Sequence, residues 1–329
     1  MMADRLSTAM GGPLRVALLD LLVERAEFGH GGNMEVIAPL VAKDGRVEVF
    51  LLTPQFQSHV SAQKALISWT PLVLTAGDVP TWDQDFPFVA DRTVSVEGVD
   101  VSGADGAAAD AGGSDEVGPV RLLRVALPQS RDGGMETWLN LMQIDAVVCT
   151  GSRRNVSIHE PWMDEAASLM RAAVNAGLPT LGICFGHQLL CKALGGKVVR
   201  ADGRTDAVET LSLTESGASD PLFSGLAAPV ALFTHQDHVV ELPKCGVLLA
   251  SAPHNSDTAV RILDGEGNQL PVWGVQFHPE AAKHRIERSV RLGHISAEEA
   301  SAFEREHDGA KILSNFAEIV SSHRRSRSV

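Results

Sequence analysis

The stretch Leu181-Gly182-Ile183-Cys184-Phe185-Gly186-His187-Gln188 constrains this chain more than any other. Gly177-Leu178-Pro179-Thr180 ahead of it reads as a turn entering a buried strand, and Leu189-Leu190-Cys191-Lys192-Ala193-Leu194-Gly195-Gly196 behind it reads as a short helix with a glycine stop. Cys184 therefore sits where a strand turns sharply into a helix, the geometry of a nucleophile elbow. Gly182 and Gly186 flank it because so tight a turn leaves no room for a Cβ on either side. The elbow pushes the sulfur off the sheet onto a helix N-terminus, whose free N–H groups and partial positive charge favour the nucleophilic thiolate. An elbow of this kind needs a parallel sheet beneath it. The chain opens accordingly, with an apolar run Leu14 to Leu19, a helix capped by Asn33 and running through Leu40 to Ala42, and a second strand Val47 to Thr53. This β-α-β order predicts an α/β fold with helices on both faces of the sheet.

A thiolate needs a base, and the base needs an orienting group. Far downstream, the apolar strand in Val272-Trp273-Gly274-Val275-Gln276-Phe277-His278-Pro279-Glu280 ends in His278, with Glu280 two positions on and Pro279 stiffening the link. Alone, a cysteine between glycines is a small core residue, and a histidine after a strand is a loop residue. Cys184 and His278, 94 residues apart and each with its flanking residues, together resemble a class I glutamine amidotransferase, and within that family the amidotransferase domain of GMP synthase. The resemblance implies a three-layer αβα sandwich with a mostly parallel central sheet, the flavodoxin-like arrangement of the family. It implies that Cys184 attacks a γ-glutamyl amide, His278 shuttles the proton and Glu280 orients His278.

The strand Asp145 to Thr150 ends in Gly151-Ser152, which alone reads equally as a strand-end turn. By resemblance Gly151 supplies one oxyanion N–H and Phe185 the other; such donors must be fixed where the oxyanion forms, and losing one costs about 2.7–4 kcal/mol. The resemblance also gives Gln188, His235 and Gln236 a place beside the substrate. Asp237 reads equally as a turn residue. His187 lies inside the elbow helix and points along it, so it is not the base. Cys191, two turns down that helix, reads as a core thiol. His235 and His238 form an H-x-x-H pair without a third ligand at zinc spacing and on an extended segment, so a metal is not expected. Neither metal nor organic cofactor is implied.

With 329 residues and 44% apolar content the chain can bury a sizeable core. A formal charge of −13 argues against nucleic acid as a partner. No run of eighteen apolar residues suggests a membrane span. The N-terminus lacks the apolar block of a secretory signal, and four cysteines in so long a chain do not form a disulfide scaffold, so a reducing cytoplasmic setting is expected. Residues 1–13 read as a loose arm, 14–322 as the amidotransferase domain and 323–329 as a basic, solvated tail. Residues 54–130 form an insertion that the resemblance covers poorly. Its stretch 102–115 is low-complexity, too small and acidic to offset its ordering entropy. Gly29-His30-Gly31-Gly32 lacks the spacing of a phosphate loop and reads as a flexible loop. The segment Ala281 to Val320 reads as helical, packing an apolar face on the sheet.

The expected activity is Cys-dependent hydrolysis of glutamine or another γ-glutamyl compound through a thioester, releasing glutamate and ammonia or an amine. Two alternatives stand beside it. One is a glutaminase subunit feeding ammonia to a separate synthetase chain, since no Ser-Gly-Gly-rich ATP-pyrophosphatase loop is present in the sequence. The other is a catalytically inactive binding protein on the same fold.

Overall fold

The computed structural model describes residues 12–22, 28–54, 88–94, 120–128, 134–293 and 295–327. Most of the 54–130 insertion, with its stretch 102–115, and nearly all of the 1–13 arm lie outside them. The strands are β1 (Leu14–Leu19), β2 (Val47–Thr53), β3 (Phe88–Val94), β4 (Val120–Ala126), β5 (Ala146–Cys149), β6 (Thr180–Ile183), β7 (Lys197–Thr210), β8 (Ser212–Leu213), β9 (Val230–Glu241), β10 (Gly246–Ala252), β11 (Asn255–Leu263) and β12 (Gln269–Val275). The helices are α1 (His30–Asp44), α2 (Gly134–Leu141), α3 (Trp162–Asn175), α4 (Phe185–Ala193), α5 (Glu215–Ala218), α6 (Lys283–Arg291), α7 (Ala297–Ser301) and α8 (Gly309–Arg327).

Among the described residues ten strands form one sheet in the order β3-β4-β2-β1-β5-β6-β12-β11-β10-β8, while β7 and β9 pair separately. From β4 through β12 every neighbouring pair is parallel; the pairings of β3 on one edge and of β11, β10 and β8 on the other are antiparallel. The near-continuous apolar runs of β1 and β2 follow from this, since a parallel sheet is covered on both faces. Leu14, Val16 and Leu18 point into a core shared with α1 and α8, whereas Ala17 and Leu19 point into a second core shared with α2, α3 and α4. The architecture is thus helix, sheet, helix, as expected. No helix among the described residues is long and apolar enough to cross a membrane.

Three local features differ from the sequence reading. Gly31 and Gly32 belong to the first turn of α1, which begins at His30 with Gly29 as its cap. Asn33 lies within that helix, its side-chain amide donating to Asp20 at 2.9 Å. The glycines are there for close approach: a Cβ on Gly32 would stand 3.2 Å from Cγ of Glu280, and one on Gly31 would stand 2.8 Å from the Arg285 guanidinium. Second, β4 is a parallel strand within the stretch that gave no readable elements. Arg121 interrupts its apolar run and pairs with Glu48 on β2 at 3.1 Å, where Arg15 of β1 also bonds at 3.0 Å. Third, α8 runs on to Arg327. Arg324, expected in a solvated tail, is 12% exposed, donates to the carbonyl of Gly12 at 2.7 Å and lies 3.6 Å from Asp44.

One adjacency positions the site. β12 lies beside β6 with Val275 opposite Ile183, and the Cys184 N–H donates to the Val275 carbonyl at 2.8 Å. The ends of these two strands therefore deliver Cys184 and the His278 segment to the same place.

Candidate active site

Cys184 lies between β6 and α4 with φ 50° and ψ −99°. Among the described residues, the other non-glycine with positive φ is Gln143. Such a conformation stores strain and persists only where the surroundings enforce it. The flanking glycines do so: a Cβ on Gly182 would fall 2.6 Å from the Gly186 carbonyl oxygen, and one on Gly186 would overlap the backbone carbonyl of Cys149. Phe185 is clamped by stacking on Trp162, ring centres 5.6 Å apart. Cys184 is 6% exposed.

The backbone N–H of His278 donates to the Leu232 carbonyl at 2.8 Å. Its Nδ1 lies 2.8 Å from Oε1 of Glu280, which fixes the ring and leaves Nε2, buried and without a hydrogen-bond partner among the described residues. Burial works to lower the pKa of this imidazole, but the Glu280 carboxylate and the sulfur of Cys184 outweigh it and hold the value well above the ordinary histidine range. Gly151, just past β5, packs directly under the same ring: a Cβ there would lie 2.7 Å from Cε1 of His278.

The Gln188 side-chain amide donates to the Asp237 carbonyl at 2.8 Å and to the Gln276 side chain at 3.1 Å. Gln236 turns to β7, donating to the Ala201 carbonyl at 3.0 Å and accepting from Arg200 at 2.9 Å. His235 is 5% exposed, and burial pushes its pKa down to about 3. Asp237 lies within β9. Its carboxylate accepts from Asn155 at 2.9 Å, from the Ser157 backbone at 2.7 Å and from the Ser157 hydroxyl at 2.9 Å, so it ties down the loop that follows Gly151. His187 lies away from the cleft, its Nε2 donating to the Asp257 carbonyl at 3.1 Å and its pKa lowered by burial to about 4. Burial pushes the Cys149 and Cys191 thiols well up, which leaves them inert.

Cys184, Phe185, Gln188, His235, Gln236, His278 and Glu280 share one cleft of about 720 Å³. Arg204, Asp206 and Thr234, none singled out from sequence, line it too, and α6 contributes Arg285 and the turn after α7 contributes Phe303. Only the unbroken polar runs Arg204-Thr205-Asp206 on β7 and Thr234 to His238 on β9 hinted at the first three. Among the described residues no group of three or more His, Cys, Asp or Glu side chains is arranged to hold a metal. The arrangement offers a strained sulfur nucleophile, an imidazole with one nitrogen free and the other held by a carboxylate, and backbone N–H groups at the elbow. That set suits acyl transfer.

Fold and site together define a class, and the sequence match agrees: the chain belongs to the glutamine amidotransferase class-I family, whose profile it matches over residues 125–290. Over 107 residues it is 39% identical to the glutamine-hydrolyzing GMP synthases of Staphylococcus epidermidis and Staphylococcus aureus, a stretch that spans 32% of this chain but 19% of those proteins. Among solved structures it is similar to a glutamine amido transferase from Methylobacillus flagellatus (18% identity, 63% of this chain, 84% of the other, TM-score 0.46). It is also similar to a glutamine amidotransferase from Thermotoga maritima (16% identity, 62% of this chain, 86% of the other, TM-score 0.41).

Proposed function

We propose that this chain hydrolyses γ-glutamyl amides by covalent catalysis at Cys184. The thiolate adds to the γ-carbonyl carbon. The resulting oxyanion is held by the N–H groups of Gly151 and Phe185. His278 gives its Nε2 proton to the leaving nitrogen as the C–N bond breaks, and ammonia or an amine departs, leaving a γ-glutamyl thioester on Cys184. His278 then takes a proton from water as the water oxygen attacks the thioester carbonyl. The C–S bond breaks, glutamate leaves, and thiolate and imidazolium are restored. Glu280 holds Nδ1–H throughout and stabilises the charged ring. Gln188 and the β9 segment at His235 and Gln236 face the amino-acid end of the substrate. No cofactor enters this scheme.

The observation that carries this reading is the strained Cys184 elbow sharing a cleft with an imidazole that Glu280 holds at 2.8 Å. Glutamate release from glutamine and from γ-glutamyl peptides tests it, with Cys184→Ala alongside. Release that the variant lacks supports it; no release from any donor sinks it in favour of an inactive binding protein. The identity shared with GMP synthases favours a second reading, in which the chain feeds ammonia to a separate synthetase subunit. Glutamine hydrolysis that accelerates when an ATP-pyrophosphatase partner is added, and not otherwise, would select it.

A further inference from the structure

Behind His235 lies a row of titratable side chains that the scheme above does not use. Nδ1 of His235 is 3.0 Å from the Asp237 carbonyl oxygen. A carbonyl only accepts, so this nitrogen carries the hydrogen and Nε2 carries the lone pair. Nε2 of His235 faces Nε2 of His254 at 3.1 Å, so the hydrogen between them belongs to His254. The other ring nitrogen of His254 lies 2.7 Å from Oε2 of Glu209. A His254 bearing only its Nε2 hydrogen would set a lone pair against a carboxylate there. One more proton must lie between them.

We propose that Glu209, His254 and His235 form a positioning relay, in which a Glu209 carboxylate–His254 imidazolium pair holds His235 as its neutral Nδ1–H tautomer in the wall of the cleft. The three residues come from separate segments: Glu209 from β7, His235 from β9, and His254 from the turn between β10 and β11. The relay thus ties the two-stranded sheet to the large one. Its far end acts on the site. The Asp237 carbonyl that takes the His235 hydrogen also takes the Gln188 amide at 2.8 Å, and the neighbouring Thr234 carbonyl lies 4.0 Å from the Cys184 sulfur.

The other groups around the relay do not replace Glu209. Phe233 lays its ring against His254, centres 4.6 Å apart. His238, with ring centres 4.8 Å from His235 and 6.4 Å from His254, is itself pushed toward neutrality by burial. The Asp237 carboxylate is taken by Asn155 and Ser157, Arg200 by Gln236, and Arg204 by Asp206 and Thr234. His278 is near enough that its charge disfavours a charge on His235.

Histidine ring-nitrogen NMR on the full chain tests the relay without any substrate. The expected result at neutral pH is His254 protonated on both nitrogens and His235 on Nδ1 alone. In Glu209→Gln the new amide can donate to Nδ1 of His254, so every bond survives with His254 neutral and its hydrogen on Nε2. Kinetics form the second arm, which rests on the hydrolase reading. His254→Ala should raise KM about tenfold with kcat within about twofold, the signature of lost binding without lost chemistry. Glu209→Ala should raise KM in the same way, and Glu209→Gln, which keeps every bond, should hold it within about twofold of wild type. A singly protonated His254 in the wild-type spectrum, or an Nε2–H tautomer of His235, overturns the relay whether or not the chain turns over. A folded His254→Ala with wild-type KM overturns its positioning role. Should His254→Ala not fold, Glu209→Ala beside Glu209→Gln decides the kinetic arm. Failure to release glutamate from any donor counts against the hydrolase reading and leaves the spectra to decide the relay.

Discussion

Replacing Gly151 by alanine separates two roles for this residue. Its N–H is the proposed oxyanion donor and survives the change, so a residue that serves only as a donor would tolerate alanine. The structure says otherwise. The new Cβ would stand 2.7 Å from Cε1 of His278 and 3.4 Å from Nδ1. Carbon–carbon contacts relax at about 3.5–4.0 Å, so the ring must move by about 0.8 Å or more. His278 is pinned through its N–H to Leu232 and through Nδ1 to Glu280, both at 2.8 Å, so the ring swings about those anchors and carries Nε2 off line. A misplacement of about 1 Å in a reacting group costs roughly 10²-fold in rate, which is about 2.7 kcal/mol of barrier. Gly151→Ala should therefore lose about two decades of kcat for glutamate release with little change in KM. Its melting temperature should stay close to wild type, since Gly151 has no positive φ to strain. Wild-type kcat, with an unmoved His278 NMR signal, would refute the argument. Gly186→Ala is the contrasting control: its Cβ meets the backbone carbonyl of Cys149, so the expected outcome is failure to fold rather than slow turnover.

Further outcomes follow from the same geometry. Because the folded-state pKa of His278 is raised, its stabilising contribution is fully present below its unfolded value of about 6.5 and is lost as pH rises through the folded value. Thermal melts should show that alkaline loss, and Cys184→Ala, which lacks the sulfur's charge, should show it at lower pH. Asp220 accepts from Arg261 at 3.1 Å, from the Trp273 indole at 3.0 Å and from the Leu222 N–H at 2.8 Å, and none of these residues lines the cleft. Asp220→Ala strands a buried guanidinium and should cost about 3–5 kcal/mol in urea unfolding. The kcat of the protein that remains folded should be unchanged, and a kcat loss would show that this core network reaches the site.

What was legible in the sequence was whatever a local pattern enforces. The elbow could be read from the tight Gly-x-x-x-Gly turn, since Gly182 is required by its contact with Gly186 only four residues on, although what bars a Cβ at Gly186 is the Cys149 carbonyl 37 residues earlier. His278 and Glu280 could be read because an apolar strand leads into them, although it ends three residues before His278, at Val275. β4 escaped because Arg121 breaks its apolar run, and the partner that makes an arginine acceptable there, Glu48, is 73 residues earlier. Gly31 and Gly32 resembled a loop because what they make room for, Glu280 and Arg285, comes some 250 residues later. Asp237 reads as a turn residue until the loop at Asn155 and Ser157 folds against it. Glu209 and His254 carry no local pattern: their roles arise only where β7, β9 and the β10–β11 turn meet.

The pairing of β6 with β12 has a mechanical consequence. Nucleophile and imidazole follow directly on the ends of adjacent parallel strands, one and three residues past them, so their separation is governed by strand spacing, about 4.8 Å across any sheet, rather than by a long loop. β3 lies at one edge of the sheet, with β4, β2, β1 and β5 standing between it and the strand that carries the elbow. Loosening the β3–β4 ladder works on a distant margin of the sheet and leaves the sulfur–imidazole distance where the inner strands set it.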